Sequence, residues 1–310
     1  MIITVSLNPA LDRTLSVNKF AVDGVNRVLD TRMDAGGKGV NVSKLVKVLG
    51  GQTLATGIVG GSSGEFIRRE LDNMGIKHDF VTSPNATRTN LKITDLLRRT
   101  TTEINEPGAP VTEELLRQVW DKIDQASKAG DTVVISGANP PQMGDDVIAT
   151  WIERLNAKNV ITALDTAGAA MRRGIEAKPH IIKPNLNELS ELFGEPLHYQ
   201  RDVIAAARQI VMQGVEKVVV SMGAEGALFV TRDHVLRSQG VKIAIGSTVG
   251  SGDAMLAAVV YYLQQGAEWE DVARWSMATG GANAMCDGSA TPNMEQITAV
   301  YRNVAVEVLQ

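Results

Sequence analysis

Gly246-Ser-Thr-Val-Gly-Ser-Gly-Asp-Ala-Met-Leu256 is the stretch on which the reading of this chain turns. Gly250, Ser251 and Gly252 let the backbone turn tightly and leave no bulky side chain over the turn. The apolar run from Ala254 to Leu263 reads as a buried helix. The first N–H groups of a helix have no intrahelical acceptor, and with those of the glycine turn they form a pocket for negative charge. Asp253 falls in the first helical turn, where the macrodipole favours a carboxylate. An anion hole beside a carboxylate suits phosphoryl transfer: the hole takes up charge on the moving group, and the carboxylate takes the proton of the attacking hydroxyl. A core helix behind a plain glycine turn is the competing reading of the motif alone.

Upstream, strands and helices alternate. Strands are expected at Thr132–Ser136, Val160–Asp165, His180–Lys183 and Lys217–Ser221, separated by helices at Asp145–Ala157, Ala167–Arg173, Leu186–Phe193 and Asp202–Met212. Runs such as Val133-Val-Ile135 and Val218-Val-Val220 suit parallel strands buried on both faces. The fold class is therefore α/β, a doubly wound, mainly parallel sheet flanked by helices. Ala227–Val230, Val235–Ser238 and Lys242–Ile245 read as antiparallel edge strands, and Met294–Val308 as a closing helix. Nearer the start, a hairpin over Leu15–Asp34 and strand-like runs at His78–Thr82, Thr89–Asp95 and Thr101–Asn105 predict a small antiparallel β lid, about 12–34 and 78–106, on a single domain of 1–310. Ligands on doubly wound sheets sit at the carboxyl ends of the strands. Asn8, Ser136, Asp165, Asn185 and Ser221 should therefore line one crevice.

With 310 residues, 44% apolar and 21% charged, the chain can bury a full α/β core. A net charge of −4 argues against non-specific nucleic-acid binding. Cys286 is the single cysteine, so no internal disulfide can form and a reducing compartment is expected. No apolar run has membrane-spanning length and the N-terminus has no signal-like segment, so a cytoplasmic location is expected, with no membrane partner. None of the four histidines stands at metal-ligand spacing.

Further motifs carry chemistry. Gly36-Gly-Lys-Gly39 is not a P-loop, because Arg32 stands at the first glycine position and Gly39 where Ser or Thr would hold magnesium. It precedes a helix, so Lys38 and Asn41 flank a helix N-terminus suited to a phosphorylated, hydroxyl-rich ligand. Asp12 is a candidate for sugar hydroxyls or a turn residue. Arg88 is a candidate phosphate clamp or a surface ion-pair partner. Asn185 and Glu188 could position water-bound Mg²⁺ and a triphosphate, or form a capping box. Ser221-Met-Gly223-Ala-Glu-Gly226 is a nucleotide-facing loop or a plain hairpin turn.

In order and spacing these motifs resemble the ribokinase-like (PfkB) carbohydrate kinases over essentially the whole chain. The carrying residues are Asn8-Pro-Ala-Leu-Asp12, Gly36-Gly-Lys-Gly-Val-Asn41, Thr87-Arg-Thr-Asn90, Lys183-Pro-Asn-Leu-Asn-Glu188, Ser221 to Gly226 and Thr248-Val-Gly-Ser-Gly-Asp253. The phosphosugar branch is the most similar, and Thr87 to Ile93, Val42-Ser-Lys-Leu45 and Met285-Cys-Asp-Gly288 lean toward its 1-phosphofructokinases. The resemblance implies ATP-dependent phosphorylation of a ketohexose monophosphate, fructose 1-phosphate first. Tagatose-6-phosphate kinase, 6-phosphofructokinase, an unphosphorylated-sugar kinase and a non-catalytic sugar-phosphate regulator are the alternatives.

By position, the resemblance implies Asp253 as general base and the Gly250, Ser251 and Gly252 amides as the anion hole. Asp12, Gly37 and Asn41 would hold the sugar, with Gly137 nearby, and Lys38 and Arg88 its phosphate. Lys183, Asn185, Glu188, Ser221, Gly223 and Gly226 would serve ATP and Mg²⁺. Backbone near Ser247, Val249 and Gly288 would hold a monovalent cation such as K⁺. Ser251 replaces a more usual Ala, and Ala138-Asn-Pro-Pro141 replaces a Ser-Leu-Pro pattern, which puts the Gly137 loop contact in doubt. The lid would close over the sugar, and its uncovered face would pair two copies into a homodimer.

Overall fold

A computed structural model describes residues 1–288 and 290–310. In chain order, β1 (Ile2–Ser6), β2 (Ala10–Val17) and β3 (Val28–Gly36) precede α1 (Lys38–Val48). Next come β4 (Thr53–Val59), α2 (Gly61–Asn73), β5 (Lys77–Thr82), β6 (Arg88–Asp95) and β7 (Thr100–Asn105). The alternating part comprises α3 (Glu113–Ala126), β8 (Thr132–Ser136), α4 (Asp146–Ala157), β9 (Ile161–Asp165), α5 (Gly168–Glu176), β10 (Ile181–Ile182), α6 (Leu186–Phe193), α7 (Gln200–Met212) and β11 (Lys217–Ser221). The chain closes with β12 (Ala227–Val230), β13 (Val235–Ser238), α8 (Ser251–Gln264), α9 (Trp269–Ala284), α10 (Met294–Tyr301) and β14 (Val306–Val308).

Among the described residues, ten strands form one sheet in the order β14-β13-β12-β11-β10-β9-β8-β1-β4-β5. Pairing is parallel from β11 to β5, and β12, β13 and β14 add antiparallel strands at one edge. The strand order runs outward in opposite directions from β1 and β8, which opens the ligand crevice of a doubly wound sheet at their carboxyl ends. One apolar cluster, including Val5, Ile135 and Leu164, packs α3, α4, α5 and α7 on one face. A second, built on Val134, Val219, Phe229 and Leu256, packs α1, α8 and α9 on the other. α8 is apolar on every side and buried from Asp253 to Val260, as a helix inside a layered core must be.

The lid sheet runs β3-β2-β6-β7. Two antiparallel pairs, β2–β3 and β6–β7, meet through parallel pairing of β2 with β6. The Asp95 carboxylate gathers the N–H groups of Lys19, Phe20, Leu97 and Arg98 at 2.8–3.1 Å, tying the turns at one end of the lid together.

Three expectations are corrected. His78–Thr82 does not belong to the lid: β5 pairs with β4 in the main sheet, because Phe80 and Val81 are buried in the core there. Lys242–Ile245 is not an edge strand but a loop facing the cleft; β13 takes β14 as its outer neighbour instead. The closing helix stops at Tyr301, and Val306–Val308 becomes that extra strand.

Gly57 in β4 has φ +137, and a Cβ there would overlap the Ser6 carbonyl of β1. Gly57→Ala should cost more than about 3 kcal/mol, the upper end of ordinary single substitutions, measured by urea unfolding.

Candidate active site

The crevice is a cleft of about 1270 Å³ between the carboxyl ends of the main-sheet strands and the inner face of the lid. Asp12, Gly37, Lys38, Asn41, Arg88, Lys183, Asn185, Glu188, Ser221, Gly223 and Gly226 all line it. Gly250 to Asp253 lie in its wall. Gly137 is the exception: it stands behind Lys38, its N–H bonded to the Asp165 carbonyl and its carbonyl to the Thr166 hydroxyl, and does not line the cleft. Asn8, Ser136 and Asp165, which were expected to line the crevice, are also outside the cleft lining, whereas Asn185 and Ser221 line it as the strand-end rule requires. Ser247 and Gly288 do not line it, but Val249 does.

Gly250 caps α8 in the left-handed region, φ 76, which turns the chain so that the helix starts facing the cleft. The Ser251 N–H already bonds the Thr248 carbonyl at 3.2 Å, so the donors at the helix start that point outward are those that follow it. The Ser251 hydroxyl is buried with no hydrogen-bond partner among the described residues. The Lys183 ammonium lies against Gly252 at the start of α8, 3.0 Å from where a Cβ would stand.

Asp253 is 5% exposed and accepts a 2.8 Å hydrogen bond from Asn41 Nδ2. Among the described residues no ion pair closes on it; Lys38 and Lys183 pair with Asp165 instead. Burial first, and the negative charge of Asp165 second, push the Asp253 pKa up to about 6. Asp165 is fully buried at the end of β9 and pairs with Lys38 Nζ at 2.8 Å and Lys183 Nζ at 3.2 Å. Burial alone would raise the Asp165 pKa, but Lys183 and Lys38 outweigh it and hold the carboxyl below its ordinary value. Burial works against the Lys38 charge too, yet Asp165 and Glu188 keep it above the usual lysine range.

Asn185 and Glu188 do form a capping box: Asn185 Oδ1 accepts from Glu188 N, and Glu188 Oε2 accepts from Asn185 N, both at 2.8 Å. The two readings of this motif are compatible, because the other carboxylate oxygen, Oε1, faces Lys38 at 3.6 Å inside the cleft. Likewise Ser221–Gly226 is both a hairpin turn, with Met222 N bonded to Gly226 O, and cleft wall. Among the described residues no group of three or more His, Cys, Asp or Glu could hold a metal.

The Val249 carbonyl accepts a 2.9 Å hydrogen bond from Asn283 Nδ2, and the Arg32 guanidinium donates to the Asp287 carbonyl at 2.7 Å and lies against Gly288.

On the lid side, Asp12 is buried, paired with Lys92 Nζ at 2.9 Å and bonded by Asn90 at 3.0 Å. Arg88 donates to the Asn8 and Glu106 carbonyls and lines the cleft half-buried. Asn90 and Lys92 line the cleft although the sequence reading gave them no role, and Asp165, expected in the crevice, is fully buried against Lys38 and Lys183. A signal for two of them existed: Arg88, Asn90 and Lys92 alternate on one face of β6. Asp165 offered only its place at a strand end.

Fold and cleft together define a small-molecule kinase, an enzyme that moves a phosphoryl group onto an alcohol. The model of the pfkB family carbohydrate kinases matches residues 6–296, and the chain belongs to that family. It is 35% identical over 309 residues to a 1-phosphofructokinase of Rhodobacter capsulatus, covering 99% of this chain and 98% of that one. To a 1-phosphofructokinase of Xanthomonas campestris pv. campestris it is 37% identical over 281 residues, covering 89% and 88%. The crystal structure of phosphofructokinase-2 from Escherichia coli in complex with potassium superposes with a TM-score of 0.93 at 28% identity, covering 97% of this chain and 98% of that one.

Only the ionised Asp253 can take a proton, so kcat/KM should fall with unit slope as pH drops below about 6 and level off above it. A carboxyl whose folded pKa is raised favours the fold at low pH, and that contribution is lost as pH rises through about 6. At pH 7.5 Asp253→Asn should therefore raise Tm by about 2 °C or more while cutting kcat by at least ~100-fold. Calorimetry and a coupled assay read both.

Proposed function

We propose that this kinase phosphorylates fructose 1-phosphate to fructose 1,6-bisphosphate with ATP and Mg²⁺. The observation that carries the reading is the Asp253 carboxylate at the start of α8, in one cleft with Asp12 and Arg88 of the lid. The choice of sugar leans on relatives named 1-phosphofructokinase.

Asp12, Gly37 and Asn41 hold the sugar hydroxyls. Asn41 also orients Asp253 through its 2.8 Å hydrogen bond. Asp253 takes the proton of the attacking hydroxyl, and the helix-start donors with Lys183 meet the charge on the transferred phosphoryl group. Arg88 grips the phosphate already on the sugar. Lys38 was expected to share that task, but its ammonium sits with Asp165 and Glu188, on the side assigned to the triphosphate. Its charge therefore serves the transfer itself. When bound, Mg²⁺ shields the phosphate charge of ATP, and Asn185 and Glu188 would hold it. Ser221, Gly223 and Gly226 line the nucleotide end.

The protein works in the cytoplasm as a dimer paired through its lids. Val28, Leu29, Met33 and Ile104 on the lid are 47–63% exposed, a face poorly suited to water. Among the described residues no helix is long and apolar enough to cross a membrane.

A turnover assay over phosphorylated ketohexoses tests the substrate. The highest kcat/KM should fall on fructose 1-phosphate; a preference for tagatose 6-phosphate or fructose 6-phosphate refutes it. Arg88→Ala should raise KM for the sugar phosphate at least ~10-fold with a smaller change in kcat, whereas Lys38→Ala should lower kcat ~100-fold, the scale for one donor to a developing charge.

A further inference from the structure

The inner face of the lid carries a buried lysine that the proposed reaction does not use. β2 and β6 run parallel and in register, with Asp12 opposite Asn90 and Thr14 opposite Lys92. Side chains two apart on a strand share a face. Asn90 and Lys92 therefore stand on the side of β6 that looks into the cleft, as Arg88 does. Lys92 Nζ pairs with Asp12 Oδ2 at 2.9 Å, and Asn90 Nδ2 donates to Asp12 Oδ1 at 3.0 Å. Each oxygen of the carboxylate is thus met by a donor from the neighbouring strand. Both side chains of the ion pair are only 5% exposed. The carboxylate is also packed against Gly36, where a Cβ would stand 2.6 Å from Asp12 Cγ. The other buried lysine of this corner, Lys44 of α1, donates to the Ala35 carbonyl instead.

An ammonium in that place acts on the carboxylate in two ways. Burial favours the neutral acid, and an adjacent positive charge favours the anion. An ionised carboxylate only accepts hydrogen bonds, so a sugar hydroxyl that meets it must donate; a protonated one would present a donor of its own. The ammonium also fixes direction, because turning the carboxylate about its Cβ–Cγ bond would break both lid contacts at once. Glu103, opposite Lys92 on β7, also lines the cleft, but it is exposed and water can carry its charge. Asp12 has no such access to water, so the counter-charge matters there.

We infer that Lys92 is a positioning residue for the sugar: with Asn90 it keeps the Asp12 carboxylate charged and in one orientation, and it acts on sugar binding through Asp12 alone. This rests on the proposed role of Asp12 as a holder of sugar hydroxyls. Lys92 therefore governs sugar-phosphate KM and leaves the nucleotide end untouched. Because Lys92 and Asp12 form one unit, their losses do not multiply.

The test is a double-mutant cycle of Lys92→Met, Asp12→Asn and the two combined. It reads kcat and both KM values with fructose 1-phosphate and ATP, and Tm without substrate. Each single change should raise sugar-phosphate KM at least ~10-fold, the scale of a lost hydrogen bond to a charged group, with ATP KM within about twofold. The double variant should match Asp12→Asn within about twofold, where independent contacts would multiply to ~100-fold or more. Lys92→Met leaves a buried carboxylate without its counter-charge, so its Tm should fall, and adding Asp12→Asn should recover part of that fall. Multiplying KM losses overturn the inference, because Lys92 would then touch the sugar phosphate itself. A wild-type sugar KM in Lys92→Met overturns it too, as does an equal rise in ATP KM, the mark of a general loss of structure. If Lys92→Met does not fold, the double variant against Asp12→Asn decides: equal sugar KM supports the inference and a higher one refutes it. Those outcomes refute the inference alone. A wild-type sugar KM in Asp12→Asn, or a wild type that turns over no ketohexose phosphate, refutes the functional reading and the inference with it.

Discussion

Two buried carboxylates, Asp165 and Asp253, stand beside the ammonium groups of Lys38 and Lys183, and the site depends on how their charges are divided. Asp165, fully buried, takes both Lys38 and Lys183. Asp253, almost as buried, is left with a neutral amide from Asn41. The division makes one carboxylate a fixed counter-ion and leaves the other able to change protonation near neutrality. A closed pair at Asp253 would have lowered its pKa and taken away its value as a base. The same division leaves Lys183 against Gly252 at the start of α8 and Lys38 facing Glu188 in the cleft.

The layered fold makes that arrangement affordable. Strands β8, β9 and β10 end side by side, so Asp165 and the Lys183 that follows β10 are neighbours across the sheet although eighteen positions apart in the chain. α1 and α8 start at the same end of the sheet and pack against each other. Their N-termini thus converge, and Asn41 reaches Asp253 over 212 positions. The lid adds Asp12 and Arg88 from strands outside the main sheet. β2 feeds directly from β1 through Ser6 to Ala10, and β3 leads directly into α1, so the lid's inner face stays tied to the crevice.

The loop that precedes α8 is held from outside. α9 supplies a carbonyl and a side-chain amide to residues 246–249, and the lid strand β3 supplies a guanidinium to the loop opposite. Lid, the end of α9 and the start of α8 are thereby tied together by hydrogen bonds.

The local backbone states were written in the sequence. The glycine turn before Asp253, the Asn185–Glu188 cap, the helix–strand alternation and the positive charge next to Gly37 all follow from residue types a few positions apart, and such short-range rules depend on no partner. Even the alternation of Arg88, Asn90 and Lys92 on one face of β6 was there to read. What required the folded chain was every pairing set by strand order. Lys38 meets Asp165 across 127 positions, β5 joins the main sheet because Phe80 and Val81 find the core there, and Val306–Val308 becomes a strand because β13 offers a free edge. Gly137 lost its expected place for the same reason: its loop lies behind Lys38. Residue patterns prescribe what a segment can be, but charges, edges and carbonyls are satisfied by neighbours in space, and only the packing of layers decides who those neighbours are.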